Sequence, residues 1–471
     1  MVRAQKKKTE KRLKNLPLYY YNILGAHCKD FSVSRWLRIS FQEDKKSGEL
    51  VLRTFKADLR VLTKYKQLFP LCFAVFVSML GFGLVMPLLP IYARNFGATG
   101  IQLGFLTASF ALTRVVSTLP GGWLSDRMGR KKPIAAGLLM YSVVMALYGF
   151  SQDVNHLILL RSLQGIASGI VWPVISTMIV DIALPRDRAK AFGFYETMHF
   201  LGMIVGPGLG GILAGIFDIS VPFFVCGGLA FLTTVLVAFT VRETGTSVAG
   251  IDDPHVESDS TAKTFDGKSS KSVLQGIRQL TPYTRIFLGI CLARLIIAFS
   301  HSLIQPVLSV YANEVLGISE TGIGVLFSIM GVVTLLTTFP LGSVADHTGR
   351  KPVLVLGKVF DGVSALLVIL SGSFWPLLFV MMLRGLGRGA TNPSITAMFS
   401  RVVPASKRGR GMGIFNSFQN IGLVVGSSMG GFLFEFYARE TPFITCGALS
   451  LIGAALVFLM VPEPRQRPEE G

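Results

Sequence analysis

The decapeptide GWLSDRMGRK at Gly122–Lys131 returns as GSVADHTGRK at Gly342–Lys351. Gly122, Asp126, Gly129, Arg130 and Lys131 each recur 220 positions later, as Gly342, Asp346, Gly349, Arg350 and Lys351, while Arg127 becomes His347. A second set keeps the same offset: Gly193, Gly202, Gly206, Gly210 and Gly211 recur as Gly413, Gly422, Gly426, Gly430 and Gly431. Arg161 is matched to Arg384, 223 positions on. Agreement at so many positions marks an internal duplication.

Each decapeptide sits between long apolar runs. The chain is 51% hydrophobic and 15% charged, with a mean hydropathy of +0.54; soluble chains carry about 25% charged residues. A hydrocarbon core about 30 Å thick needs roughly 20 apolar helical residues. Twelve segments meet that need: 68–93, 102–121, 133–151, 157–182, 191–216, 221–241, 284–312, 321–343, 352–371, 373–399, 410–436 and 440–461. The fold class is an all-α membrane protein, with twelve transmembrane helices in two six-helix pseudo-symmetric halves.

Charge sets the orientation. The even loops carry Arg127, Arg130, Lys131, Lys132, then Arg186, Arg188 and Lys190, then Arg350 and Lys351, then Lys407, Arg408 and Arg410. The odd loops are much poorer in cations, so both termini are expected in the cytoplasm. Residues 1–66 hold 17 Lys and Arg against 6 Asp and Glu. This basic tail reads as a cytoplasmic flank rather than a nucleic-acid binder. Its first cations are followed by no cleavable apolar stretch. Residues 67–241 and 284–461 form the halves, 242–283 a polar cytoplasmic linker, and 462–471 a cytoplasmic tail.

The five cysteines show no CxxC or metal-ligand spacing, so neither a disulfide framework nor a metal site is expected. No GxxxxGK[ST] run, catalytic triad or metal cluster is present in the pattern. An enzyme is not expected, and no cofactor.

These residues resemble the major facilitator superfamily over about residues 68–461. The loop Gly122–Lys132 resembles its second-to-third-span signature. Gly122 admits a neighbouring helix and Gly129 a tight turn. Asp126 can accept from a helix N-terminus, and Arg130 can pair with Asp181. Together with Arg127, Lys131 and the second-half copy, they are expected to latch the cytoplasmic side. Gly193, Gly202 and the run Gly206-Pro207-Gly208-Leu209-Gly210-Gly211 resemble the span-five motif of the twelve-helix drug:proton antiporters. Ser427 replaces Pro207 in the second half. Leu80-Gly81 with Pro87 and Pro90 resembles the first-span motif of that branch, and its prolines are expected to kink the helix. The span-four pattern is Arg161-x-x-Gln164-Gly165-x-x-x-Gly169. In the resembled family its arginine is associated with proton coupling; tying helices by hydrogen bonds is the other reading.

Ionisable residues inside spans are functional candidates by default. Asp361 and Glu196 are the candidate proton carriers. Asp361 is preferred because tetracycline-type exporters of this superfamily use an acid in the ninth span; a structural ion pair with an arginine is its alternative. Span one carries no acid, unlike several drug exporters. Arg294, His301 and Gln305 fall on one helical stripe. An offset of 219 matches them to Val75, Phe82 and Met86, giving one polar and one apolar cavity wall. Arg114, Trp172 and Arg384 complete the candidate substrate contacts, with Phe194, Tyr195, Phe415 and Phe418 as further aromatic surface. The resemblance implies a monomer in the plasma membrane. It would export small amphipathic molecules against a proton through a site between the halves. An importer or facilitator of an organic anion, sugar or related metabolite is the alternative, which the excess of arginines over acids permits.

Overall fold

The computed structural model describes residues 64–244, 284–403 and 408–460. The basic tail before Lys64, the body of the linker, Lys407 and the C-terminal tail lie outside the described residues. The first half contains α1 (Leu68–Asn95), α2 (Gly100–Met128), α3 (Lys131–Tyr148), α4 (Val154–Ile182), α5 (Arg188–Ile216) and α6 (Val221–Thr240). The second contains α7 in two pieces (α7a, Thr284–Ile304; α7b, Leu308–Glu314), α8 (Glu320–Thr348), α9 (Arg350–Leu370), α10 (Phe374–Val402), α11 (Arg408–Phe436) and α12 (Thr441–Met460). Among the described residues, nine spans are long and apolar enough to cross a membrane by composition alone. The protein is an integral, multi-pass membrane protein.

Local chemistry sets several helix ends. Thr99 and Gln102 form a reciprocal capping box at the start of α2, satisfying donors that have no partner within the helix. Asp153 accepts from the His156 amide at 2.8 Å at the start of α4. Gly129 and Gly349 end α2 and α8 at φ of 86° and 100°, a region that side chains disfavour. The Glu243 carboxylate accepts from the Lys131 amide at 2.9 Å, placing an anion at the positive end of α3.

Lipid cannot hydrogen-bond to the backbone and gives helices little reason to associate, so they hold together by close packing. Small residues make that packing possible. A Cβ on Gly202 would lie 2.5 Å from the Phe76 carbonyl, and one on Gly422 2.5 Å from the Leu295 carbonyl. These contacts lay α5 on α1 and α11 on α7a, with an offset of 220 between the glycines and 219 between the carbonyls they meet. In the α2–α4 pair, Gly165 meets the Phe110 carbonyl and Gly169 the Arg114 carbonyl. In the α8–α10 pair, Gly385 meets Met330 and Gly389 meets Thr334. That packing keeps the repeat at 220. It corrects the pairing of Arg161 with Arg384: Arg384 occupies the position of Gln164, and Arg161 that of Met381.

Span seven is also corrected. It breaks over Gln305–Val307, where Pro306 supplies no amide donor and clashes with the preceding turn. Pro87, 219 positions earlier, lies inside the continuous helix α1, as does Pro90. The expected first-span kink is thus matched by an actual helix break in the other half.

Among the described residues, the glycine contacts between the halves gather at one end. Gly100 and Gly104 of α2 abut Gly431 and Ser427 of α11, and Gly211 of α5 abuts Gly324 of α8. Ser328 Oγ donates to the Ile204 carbonyl at 2.6 Å. At the opposite end, which carries the basic loops, Gly122, Gly193, Gly342 and Gly413 have open space where a Cβ would point. A hollow therefore opens between the halves toward the basic-loop side.

Gly206→Leu should force α5 off the Leu80 and Leu84 backbone and lower stability by about 2 kcal/mol. Gly193→Leu should leave the melting temperature of the purified protein nearly unchanged. Equal melting temperatures for the two variants would contradict this packing.

Candidate functional site

The second half buries a charged cluster beside the hollow. Asp361 of α9 is fully buried. Lys358, one turn earlier, donates to its carboxylate at 2.9 Å and to Ser450 Oγ of α12 at 3.1 Å. Ser450 Oγ donates to the same carboxylate at 3.3 Å. His301 Nε2 of α7a stands 3.0 Å from it, off the line of a hydrogen bond. Arg384 of α10 approaches within 3.8 Å, leaving Asp361 Oδ1 without a hydrogen-bond donor. One carboxylate thus ties together α7a, α9, α10 and α12. A carboxylate and an imidazole at this distance can exchange a proton. His301 is partly exposed, whereas Arg384 is buried. In this conformation Arg384 faces Asp361 rather than a ligand.

The matching place in the first half is uncharged. Position 141 is Tyr and position 164 is Gln, 220 before Asp361 and Arg384. Tyr141 donates to the Ser78 carbonyl at 2.8 Å, and Tyr148 donates to Gln164 at 3.1 Å. Arg161 Nη1 also donates to Gln164, at 2.6 Å. The Arg161 bond lies within α4, and it is Tyr148 of α3 that reaches the same Gln164 from a neighbouring helix. Its guanidinium lies 4.4 Å from the centroid of the Phe110 ring and 5.6 Å from that of Phe82. Arg114 of α2 lies 5.4 Å from the Trp172 ring, and Trp172 packs edge-on to Phe82 at 6.2 Å. The apolar wall expected from Val75, Phe82 and Met86 is corrected accordingly. Val75 is fully buried, and Phe82 is flanked by cations.

On the second-half wall, Arg294 donates to Gln419 at 2.7 Å and lies 5.2 Å from the Phe415 ring. Gln305 sits in the break of span seven, partly exposed, as Met86 is on α1. Glu196 is exposed on α5 and is not part of the buried Asp361 cluster. His199, one turn further on, packs near Trp172 at 6.5 Å. Lys358 is the functional residue that sequence reasoning missed. Its signal was a lysine within an apolar run, three residues before an acid and therefore on the same helix face.

The latch residues cluster on the basic-loop side. Arg130 bonds Asp126 at 2.7 Å and Asp181 at 3.2 Å, joining the loop to the end of α4. Arg350 bonds Asp346 at 2.9 Å. Asp126 and Asp346 remain mostly exposed, at 69% and 60%, each bonded within its own half. Nearby, Lys64 and Tyr65 donate to Asp187 at 2.5 and 2.8 Å, which holds that carboxyl below its usual range. The closed end has its own ties. Arg94 of α1 donates to Glu314 of α7b at 2.7 Å, and Arg439 reaches Glu314 at 3.4 Å. Glu435 of α11 accepts from the Gly100 amide at 2.6 Å.

This arrangement is that of a known family. The Major Facilitator Superfamily profile matches residues 71–282 and 290–471. The chain belongs to the major facilitator superfamily. Among its relatives, Quinolone resistance protein NorA of Staphylococcus aureus (strain MRSA252) is 26% identical over 84% of this chain and 96% of its own length. Multidrug resistance protein 2 of Bacillus subtilis (strain 168) is 26% identical over 82% of this chain and 92% of its own. A bacterial homolog of the human lysosomal transporter Spinster, solved inward-facing and unoccupied, superposes with a TM-score of 0.68 at 17% identity. That match covers 84% of this chain and 96% of the other. A point mutant of the nucleoside transporter NupG gives 0.66 at 15% identity, covering 84% of this chain and all of its own. This facilitator superfamily member thus has the fold of transporters, with its hollow open on one side.

Glu314→Gln removes the charge that pairs with Arg94 across the closed end, and Glu435→Ala removes the acceptor of the Gly100 amide. Each should shift the balance toward the opposite opening by about tenfold or less, since an exposed ion pair contributes roughly 1 kcal/mol. Spin-label distances across the two faces would check this. Unchanged distance distributions in the double variant would count against these ties.

Proposed function

We propose that this transporter is a proton-coupled antiporter that exports small amphipathic organic molecules by alternating access. In this reading it is a monomer in the plasma membrane, with the basic loops and both termini in the cytoplasm. The observation that carries the reading is the Asp361 cluster, a buried carboxylate reached through the partly exposed His301. The drug-resistance names of two relatives support export, and the cation-poor loops at the closed end support the orientation.

The cycle follows from charge balance. With the outer side open, a proton enters through His301 and neutralises Asp361. Lys358 and Arg384 then lose their shared counter-charge, and the helices they hold become free to shift. Closure of the outer side and opening of the inner side follows. The proton leaves to the cytoplasm, Asp361 regains its charge, and the cluster reforms as seen here. Substrate loads from the cytoplasmic hollow and leaves outward on the return step. On the basic-loop side, Arg130 with Asp126 and Asp181, and Arg350 with Asp346, would latch the outward-open state.

Asp361→Asn should reduce proton-gradient-driven efflux from vesicles by about tenfold or more while substrate exchange without a gradient persists, because a fixed neutral group cannot switch protonation. Glu196→Gln should have a small effect, given its exposure. Full gradient-driven transport by Asp361→Asn would end the proposal.

A further inference from the structure

Four guanidinium groups, those of Arg114, Arg161, Arg294 and Arg388, lie within the spans. Among the described residues none of them has a carboxylate at ion-pair distance. Arg161, Arg294 and Arg388 each leave the Nε donor without a partner, as does the Trp172 indole. The nearby acids do not answer this charge. Asp361 is engaged by Lys358 and flanked by His301 and Arg384, and Glu196 makes no recorded pair with any arginine. Cations inside a membrane normally face a partner or a cavity. Arg161 and Arg294 each bond a neutral glutamine, so these guanidiniums lack an anion, and their orphaned Nε donors await an acceptor that the protein itself does not supply.

From this geometry we infer that the hollow binds a free organic anion with a flat aromatic body. The inference deepens the export reading and rests on it only for the hollow being the transported route. Guanidinium groups match carboxylate, sulfonate or phosphate oxygens in a planar, bidentate manner. Arg114 and Arg161 lie beside the rings of Phe82, Phe110 and Trp172, giving a ring-stacking floor with a cationic rim. Across the hollow Arg294, steadied by Gln419 and the Phe415 ring, offers a second positive group. A cationic ligand would meet like charge on both walls, and a neutral one would leave the donors unmatched.

The test compares 2-naphthoate, 2-naphthamide and 2-naphthylmethylamine, which share a ring system and differ in charge. Binding is measured by calorimetry on the purified full chain in neutral detergent with no proton gradient. Naphthoate should bind at least about tenfold more tightly than either counterpart, as expected for charge-assisted bonds. Arg114→Gln and Arg294→Gln should each weaken naphthoate about tenfold, and Arg114→Lys, which keeps the charge but loses the planar fork, should recover only part of the loss. Melting curves identify variants that fail to fold. Equal or tighter binding of the amine, absence of naphthoate binding to folded protein, or displacement of naphthoate only by phosphatidylglycerol headgroups at the outer surface would each overturn the assignment. Naphthoate binding without gradient-driven efflux would leave the ligand class standing and remove the antiport reading instead.

Discussion

Backbone laid against backbone is the constraint on which this molecule depends. In lipid, helices gain little by hiding apolar surface from one another, so association needs close contact over long stretches. The glycines of α5 and α11 supply it, seating these helices on α1 and α7a. Each half gains a firm pair, and the same glycine rows carry the contact between halves, through Gly211 on Gly324 and Gly431 on Gly100. A side chain at the packed members of those rows, such as Gly206 or Gly431, would lift a helix and loosen the half or the seal. The charged groups are held in place by this packing.

The duplication is close in packing and unequal in chemistry. Tyr141 and Gln164 fill, with neutral side chains, the place that Asp361 and Arg384 fill with charge. Leu138 stands where the second half has Lys358. The first half contributes aromatic rings and arginines without acid partners to the hollow; the second contributes the ionisable cluster. The duplicated halves thus differ in kind, one placing rings and cations around neutral partners, the other burying a carboxylate among cations.

Much of this was legible in the sequence. Twelve apolar runs and a repeated decapeptide determine the span count and the two-fold plan, because both follow from hydropathy and an offset. The bond from Arg130 to Asp181 was legible too, since both residues sit at span ends on one side. What was not legible depends on neighbours. Arg161 and Arg384 are both arginines in matching spans, yet the glycine contacts show them one turn apart in register. Glu196 reads as an intramembrane acid, but α5 turns it to an exposed face. Pro87 and Pro306 are equivalent in sequence, and one lies inside an unbroken helix while the other ends it. Local sequence alone does not separate those outcomes.

The interruption of span seven leaves α7b as a seven-residue lever joined to α7a by three non-helical residues. Its far end carries Glu314, tied to Arg94 of α1, and the joint begins one turn beyond His301. The joint gives span seven a place to bend while α7a stays seated on α11. On the opposite side of the hollow, α1 is a single rod and has to tilt as a whole. Span seven can thus change shape where span one can only tilt, with its bend next to the Asp361–His301 pair.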